Sequence, residues 1–145
     1  MSQWTHVAGL VRLDGIGVMK GWTPEDEKRE LAKVLTASSL PFGSEGPLQY
    51  QVQIIFPQNQ LCRGHIALWG DLRDYDDVKE IREWFEGLLS NFSFDYYLPN
   101  QSPFFVRTAV MSIDVEFSGR RILLTWNEKK LVAKVVRVKK EGHKY

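Results

Sequence analysis

The stretch from Gly70 to Asp77 concentrates the residue types that could bind a ligand or a partner. It reads Gly-Asp-Leu-Arg-Asp-Tyr-Asp-Asp, with five charged residues among eight, and it lies where a predicted strand gives way to a predicted helix. A guanidinium such as that of Arg73, beside the N–H groups of a helix start, makes a pocket for a small anion or a phosphate. The same residues also suit architecture, because Asp side chains cap helices and Arg73 can pair with them. The sequence leaves both interpretations open.

A site for a nucleotide-like ligand also needs a loop that can close and an aromatic ring on which a base can stack. The segment Gly43-Ser44-Glu45-Gly46 offers flexible backbone and a carboxylate, and Trp69 and Tyr75 offer rings. His6 and Arg12, on the first predicted strand, are expected to reach the same edge. The residues predicted to bind a ligand or partner are Arg73, Asp71, Tyr75, Trp69, Ser44, Glu45, His6 and Arg12. Three further basic residues could join them: Arg63, Arg107 and Lys20.

Motifs for catalysis are absent from the sequence, which has no G-x-S-x-G, no H-E-x-x-H and no Gly-rich phosphate loop followed by Lys-Ser/Thr. Cys62 has no identifiable base near it in sequence, which is typical of a packed or incidental thiol. His6 and His65 lie on strands predicted to be neighbours, but a metal site needs three or four convergent ligands. The sequence therefore predicts no catalytic residue, no metal ion and no cofactor.

The charge balance argues against a general affinity for nucleic acid. The 145 residues include 19 basic and 18 acidic side chains, for a net charge of +1, so there is no global positive field. The predicted strand Arg63–Trp69 shares only its opening Arg-Gly and a Leu with the base-stacking strand of RNA-recognition modules. We therefore expect no strong unspecific binding of nucleic acid.

Hydrophobic periodicity predicts an α+β fold. Strands are predicted over residues 4–13, 48–56, 65–72, 105–117, 121–126 and 131–139, with helices over 24–37 and 76–89. In this order the elements predict a ferredoxin-like (split βαβ) antiparallel sheet with two helices on one face and a C-terminal β-hairpin extension. On the first strand, one predicted face carries Val7, Val11 and Leu13, and the other carries His6, Ala8, Leu10 and Arg12.

The chain is expected to be a single α+β domain over residues 1–145, with a frayed tail over 139–145. The first residues lack the features of a signal peptide, and no run of about 18 apolar residues occurs. These features predict a protein that neither is secreted nor spans a membrane. The single Cys62 predicts a reducing compartment.

A surplus of aromatic residues, and a last strand with apolar residues on both faces, predict a homo-oligomer with the terminal hairpin near the interface.

Several motifs resemble a family of small proteins of tailed bacteriophages and prophages. The resemblance lies in the segments Trp4-Thr5-His6-Val7 (with Gly9, Arg12 and Asp14), Gly43-Ser44-Glu45-Gly46-Pro47-Leu48-Gln49-Tyr50, Gly70-Asp71-Leu72-Arg73-Asp74-Tyr75, Trp84-Phe85 and Val106-Arg107-Thr108-Ala109-Val110 running into Asp114-Val115-Glu116. It covers most of the chain up to about residue 117. The resemblance implies a phage origin and the host cytoplasm, and it brings no activity or catalytic residue with it.

Two classes of function fit that setting. In the first, the protein is a non-enzymatic counter-defence or host-takeover factor that binds a host defence protein or sequesters a small nucleotide-like signal. In the second, it is a minor structural or nucleic-acid-associated phage protein, whose sheet face, aromatic connector (residues 91–103) and basic last strand make the contact. An enzyme is the less favoured class.

Overall fold

The residues that the structure describes form a six-stranded antiparallel sheet and two helices. The computed structural model describes residues 3–15, 21–54, 62–92, 104–127 and 130–137. In chain order the elements are β1 (Trp4–Gly15), α1 (Pro24–Leu35), β2 (Phe42–Gly43), β3 (Gly46–Pro47), β4 (Gln49–Ile54), β5 (Cys62–Arg73), α2 (Val78–Ser90), β6 (Phe104–Val115), β7 (Arg120–Asn127) and β8 (Lys130–Arg137). The sheet has the strand order β4-β5-β1-β6-β7-β8, and β2 and β3 form a separate two-stranded ladder.

Both helices begin at side-chain caps that the sequence provides. The Thr23 hydroxyl accepts a hydrogen bond from the Asp26 N–H, and the Asp26 carboxylate accepts one from the Thr23 N–H, which forms a capping box ahead of Pro24. The Asp77 carboxylate accepts a hydrogen bond from the Glu80 N–H at the start of α2. These caps fix the residue at which each helix begins.

The two faces of the sheet differ sharply in burial. Side chains on one face, such as Val11, Ile66 and Ile113, are completely buried, and they belong to one core cluster with the apolar stripes of both helices, including Leu31 and Phe85. We call this the covered face. The side chains that alternate with them make up the second face, which we call the open face. It includes five exposed apolar residues: Leu10, Trp69, Val110, Leu123 and Val132.

A buried ion pair connects α1 to the sheet. The β1–β5 ladder shifts register between Leu13 and Asp14, and beyond this irregularity the Arg63 side chain lies in the core against Glu27 of α1. Arg63 donates from Nε to Glu27 Oε2 at 3.0 Å and from Nη2 to Glu27 Oε1. Both side chains are at most 1% exposed. Arg63 therefore does not contribute to an anion pocket, as the sequence suggested it could.

The predicted α+β class is confirmed, and so are the two helices. The loop predicted over residues 38–47 is corrected in part, because it contains the β2–β3 ladder. The aromatic connector beyond Phe92 and the tail over residues 139–145 lie outside the described residues. Among the described residues, no helix is long and apolar enough to cross a membrane.

Candidate functional site

The loop between β2 and β3 is fixed against the end of β5. The Ser44 N–H donates to the Arg73 carbonyl at 3.0 Å, and the Gly43 backbone lies so close to β5 that an added Cβ would come within 2.9 Å of the Arg73 nitrogen. Only glycine allows this approach. The loop that was expected to close over a ligand is therefore already in place.

Arg73 is held between acidic and aromatic neighbours. Its Nη1 lies 2.6 Å from Glu45 Oε1, and its Nε lies 3.8 Å from Asp74 Oδ2. Its guanidinium carbon lies 5.9 Å from the centre of the Trp4 ring, within the range of a cation–π contact. Asp74 has a φ of 54°, a left-handed conformation that its contact with the Ser44 hydroxyl, at 3.1 Å, helps to hold. We call Ser44, Glu45, Arg73, Asp74 and Trp4 the charged rim.

His6 lies on the open face next to this rim and is held by two carboxylates. Its Nδ1 lies 2.6 Å from Asp71 Oδ1, and its Nε2 lies 3.0 Å from Glu116 Oε1. The hydrogen bond to Asp71 is the largest cause and raises the pKa of His6; burial opposes this rise, and the hydrogen bond to Glu116 adds a smaller contribution to it. Because both ring nitrogens face acceptors, the protonated imidazole fits this arrangement best.

A second ion pair follows on the same face. Arg121 Nη2 of β7 lies 3.2 Å from Asp114 Oδ2 of β6. These residues, with His6, Asp71 and Ser112, line a shallow depression of about 270 Å³. We call the charged rim, the His6 group and this ion pair together the acidic end of the sheet, because they contain five carboxylates and two guanidinium groups.

The structure brings most of the predicted site residues to this end, in two adjacent groups. Arg73, Ser44 and Glu45 contact one another in the rim, and His6 contacts Asp71. Trp69 lies opposite Ala8 on the open face and is 44% exposed, so its ring is available for contact.

Two predicted residues do not join the site. Tyr75 is only 8% exposed, and burial together with the carboxylates of Glu80 and Asp77 raises the pKa of its phenol; it is part of the core and not a stacking platform. Arg12 lies six residues from His6 along β1, about 20 Å away at the usual rise of a strand. There its Nη2 donates to Cys62 Sγ at 3.3 Å.

Other basic residues proposed for an anion pocket are also placed elsewhere. Arg107 donates to the buried Asp14 at 2.7 Å, a hydrogen bond that raises the pKa of Arg107. Lys20 lies outside the described residues. In contrast, Glu116, Asp114 and Trp4 belong to the site although sequence analysis did not select them. All three lie in the motifs that resemble the phage family, but their contacts at the site depend on the cross-strand register, which a single sequence does not contain.

Within the described parts of the chain, no group of three or more His, Cys, Asp or Glu side chains is arranged to hold a metal ion. No protein-family model matches the chain, and neither does any curated protein or any solved structure.

Proposed function

We propose that this chain is a non-enzymatic, phage-encoded binding protein that acts in the host cytoplasm as a counter-defence or host-takeover factor, by binding a host protein through the acidic end of its sheet. The observation that carries the proposal is the set of exposed, ordered charges at that end. Arg73, Glu45 and Asp74 are each 40 to 55% exposed. They are also held in place by a loop whose backbone is bonded to β5, so little ordering is needed on binding.

The charge balance favours a protein partner over a nucleotide-like signal. A phosphate that approached Arg73 would have to displace Glu45 and would remain close to Asp74, and like charges at short range cost free energy. Even with His6 protonated, the acidic end has two more negative than positive charges. A complementary partner surface carries Lys or Arg residues.

We also propose that the domain has the ferredoxin-like (split βαβ) arrangement. The element order β1-α1-β4-β5-α2-β6 and the strand order β4-β5-β1-β6 support this assignment. The strands β7 and β8 then form a hairpin extension beside β6. This fold has many unrelated functions, so it adds nothing to the functional proposal itself.

The test is to express the protein in cells that carry a panel of defence systems and to score phage plating. Rescue of plating against one system is the expected result. A double variant, Glu45→Lys with Asp74→Lys, reverses the charge of two side chains of the rim. It should reduce rescue by a factor of about ten or more, because a basic partner surface would then meet positive charges. Failure to rescue against every system would contradict the counter-defence proposal.

Arg73→Ala distinguishes a protein partner from a nucleotide. If the partner is a protein, this single change weakens rescue only partially, since the contact is spread over a broad surface. If the ligand is a nucleotide, Arg73→Ala abolishes rescue. Arg29→Ala is the matched control, because Arg29 is also exposed and paired, with Asp26 at 3.3 Å, but lies on α1. Both variants should melt close to the wild-type temperature, since exposed ion pairs contribute about 0 to 1 kcal/mol.

The alternative function, as a minor structural or nucleic-acid-associated phage protein, has one observation in its favour. The edge strand β8 carries the exposed residues Lys130 and Lys134, and Lys134 lies beside Leu123 on the open face. Binding of single-stranded nucleic acid that Lys134→Glu abolishes, together with failure to rescue plating, would favour this alternative.

A further inference from the structure

We propose that the protein forms a two-fold dimer in which the open faces of two copies pack against each other head to tail. In this arrangement each strand of one copy lies over the same strand of the second copy, with its direction reversed. The dimer leaves the charged rim exposed for a host partner, although it covers the row of His6, Asp71 and Asp114 from the acidic end, and it does not depend on the proposed function. The proposal rests on three features of the open face: its exposed apolar residues, the sizes of its side chains and the charges at its two ends.

The middle of the open face is apolar and exposed. Leu10 lies on the central strand β1 and is 37% exposed, and Val110 beside it on β6 is 47% exposed. Trp69 on β5 is 44% exposed. Leu123 and Val132 extend this surface across β7 and β8. A contiguous apolar surface on a sheet is typical of an interface.

The side chains in the middle of this face alternate in size along each central strand. One cross-strand row contains Trp69, Ala8 and Ser112, and the next contains Ala67, Leu10 and Val110. Consider a two-fold axis that runs across the strands, between these two rows. It places the first row of one copy over the second row of the other copy, and the reverse. Trp69 then lies over Ala67, and Leu10 lies over Ala8. Large side chains therefore meet small ones, as close packing of two sheets requires.

The two outer rows of the open face differ in charge, because carboxylates of the three central strands occur in one of these rows and not in the other. At one end, Asp71 and Asp114 flank His6 in a single cross-strand row. At the other end, the row of Arg12 and His65 continues to Thr108 on β6 and contains no carboxylate on these three strands. The head-to-tail arrangement places the row of Arg12 and His65 over the His6 row of the other copy, with His65 over Asp71 and with Arg12 over His6, between the carboxylates of Asp71 and Asp114. The parallel arrangement would place carboxylates over carboxylates, which is unfavourable.

The size of the face is sufficient for a stable interface. At the standard spacings of a sheet, a face of six strands and four such rows has an area of roughly 750 Å². A typical specific complex buries about 800 Å² of surface on each partner.

Pairing through the β8 edges, the alternative for a homodimer, is disfavoured by charge. β8 carries Lys130 and Lys134 and, over Lys130–Arg137, no acidic residue. Two such strands would bring like charges together, and Lys on an edge strand is a common device against edge pairing. In the face-to-face dimer, the charged rim lies one row beyond the overlap and stays exposed, so the dimer presents two rims at opposite ends.

Sedimentation velocity of the full chain tests the proposal. The wild-type protein should be a dimer at tens of micromolar. Leu10→Asp should weaken dimerisation about 100-fold, because it buries a charge at the centre of the contact. Val110→Asp is a second variant at an independent position, and circular dichroism confirms that each variant is folded. Val135→Asp is the control: Val135 is 54% exposed but pairs with Ile122 on the other face, so its effect should be within about twofold.

A charge exchange tests the orientation. Arg12→Glu and Asp71→Lys should each weaken the dimer about tenfold, and the double variant should recover most of the wild-type affinity, because complementarity is restored with reversed signs. A double variant weaker than both single variants would overturn the head-to-tail orientation. A wild-type protein that is monomeric at tens of micromolar would overturn the dimer itself, as would dissociation by Val135→Asp but not by Leu10→Asp.

Discussion

Replacing Arg63 by Met is the most informative perturbation of stability in this fold. The variant keeps the length of the side chain but leaves the Glu27 carboxylate in the core without the guanidinium that donates two hydrogen bonds to it. Both side chains are at most 1% exposed, so water cannot replace the lost partner. Removing one partner of a buried ion pair costs about 3 to 5 kcal/mol, which for a domain of this size lowers the melting temperature by roughly 10 to 15 °C.

Urea unfolding followed by circular dichroism measures this cost, and a double variant identifies its cause. Glu27→Leu combined with Arg63→Met removes both charges, so it should be more stable than Arg63→Met alone and return to within about 2 kcal/mol of the wild type. Arg29→Met, which breaks the exposed pair with Asp26, is the control and should cost about 0 to 1 kcal/mol. A loss below about 1 kcal/mol for Arg63→Met would refute the inference that this pair is desolvated.

Three further predictions concern the core, the His6 group and nucleic acid. Phe85 is completely buried, and Phe85→Ala should lower the free energy of unfolding by about 3 to 5 kcal/mol in the same urea experiment. Because Asp71 and Glu116 raise the pKa of His6 in the folded protein, their stabilising contribution is complete below the unfolded value of about 6.5 and is lost as the pH rises through the folded pKa; the stability difference between wild type and His6→Asn should therefore shrink as the pH rises above about 6.5, and a constant difference would contradict this. With a net charge of +1, the protein should not bind single-stranded DNA or RNA at submicromolar concentration in about 150 mM salt, and a tight complex that Trp69→Ala abolishes would show this prediction to be wrong.

The strands and their faces could be predicted because alternation of apolar and polar residues is local. Val7, Val11 and Leu13 are buried on β1 as predicted, and the alternating residues His6 and Leu10 lie on the open face. The start of α1 was also predictable, because a Thr cap followed by Pro24 is a signal within a few residues. The β2–β3 ladder was missed, since strands of two residues contain no period to detect.

The details of the site could not be predicted, because they depend on pairing between distant segments. The register irregularity beside Leu13 accompanies the placement of Arg63 in the core, and a one-residue shift moves a side chain from one face of a sheet to the other. The contact of Glu116 with His6 depends in the same way on the β1–β6 register. Tyr75 lies next to exposed charges in the sequence but is buried, and its carbonyl accepts a hydrogen bond from the hydroxyl of the distant Thr5 on β1.

The hydrogen bonds of His6 have a consequence for the order in which the protein is assembled during synthesis. Its two partners follow it in the chain by 65 and 110 residues, and β1, which pairs with both β5 and β6, is made long before either. At about 5 to 20 residues per second, β1 waits roughly 5 to 20 s on the ribosome before β6 is available. Such long-range pairing makes folding slow. A nascent chain that stops before Phe104 therefore exposes one edge of β1, and it lacks a complete acidic end even if its helices have formed.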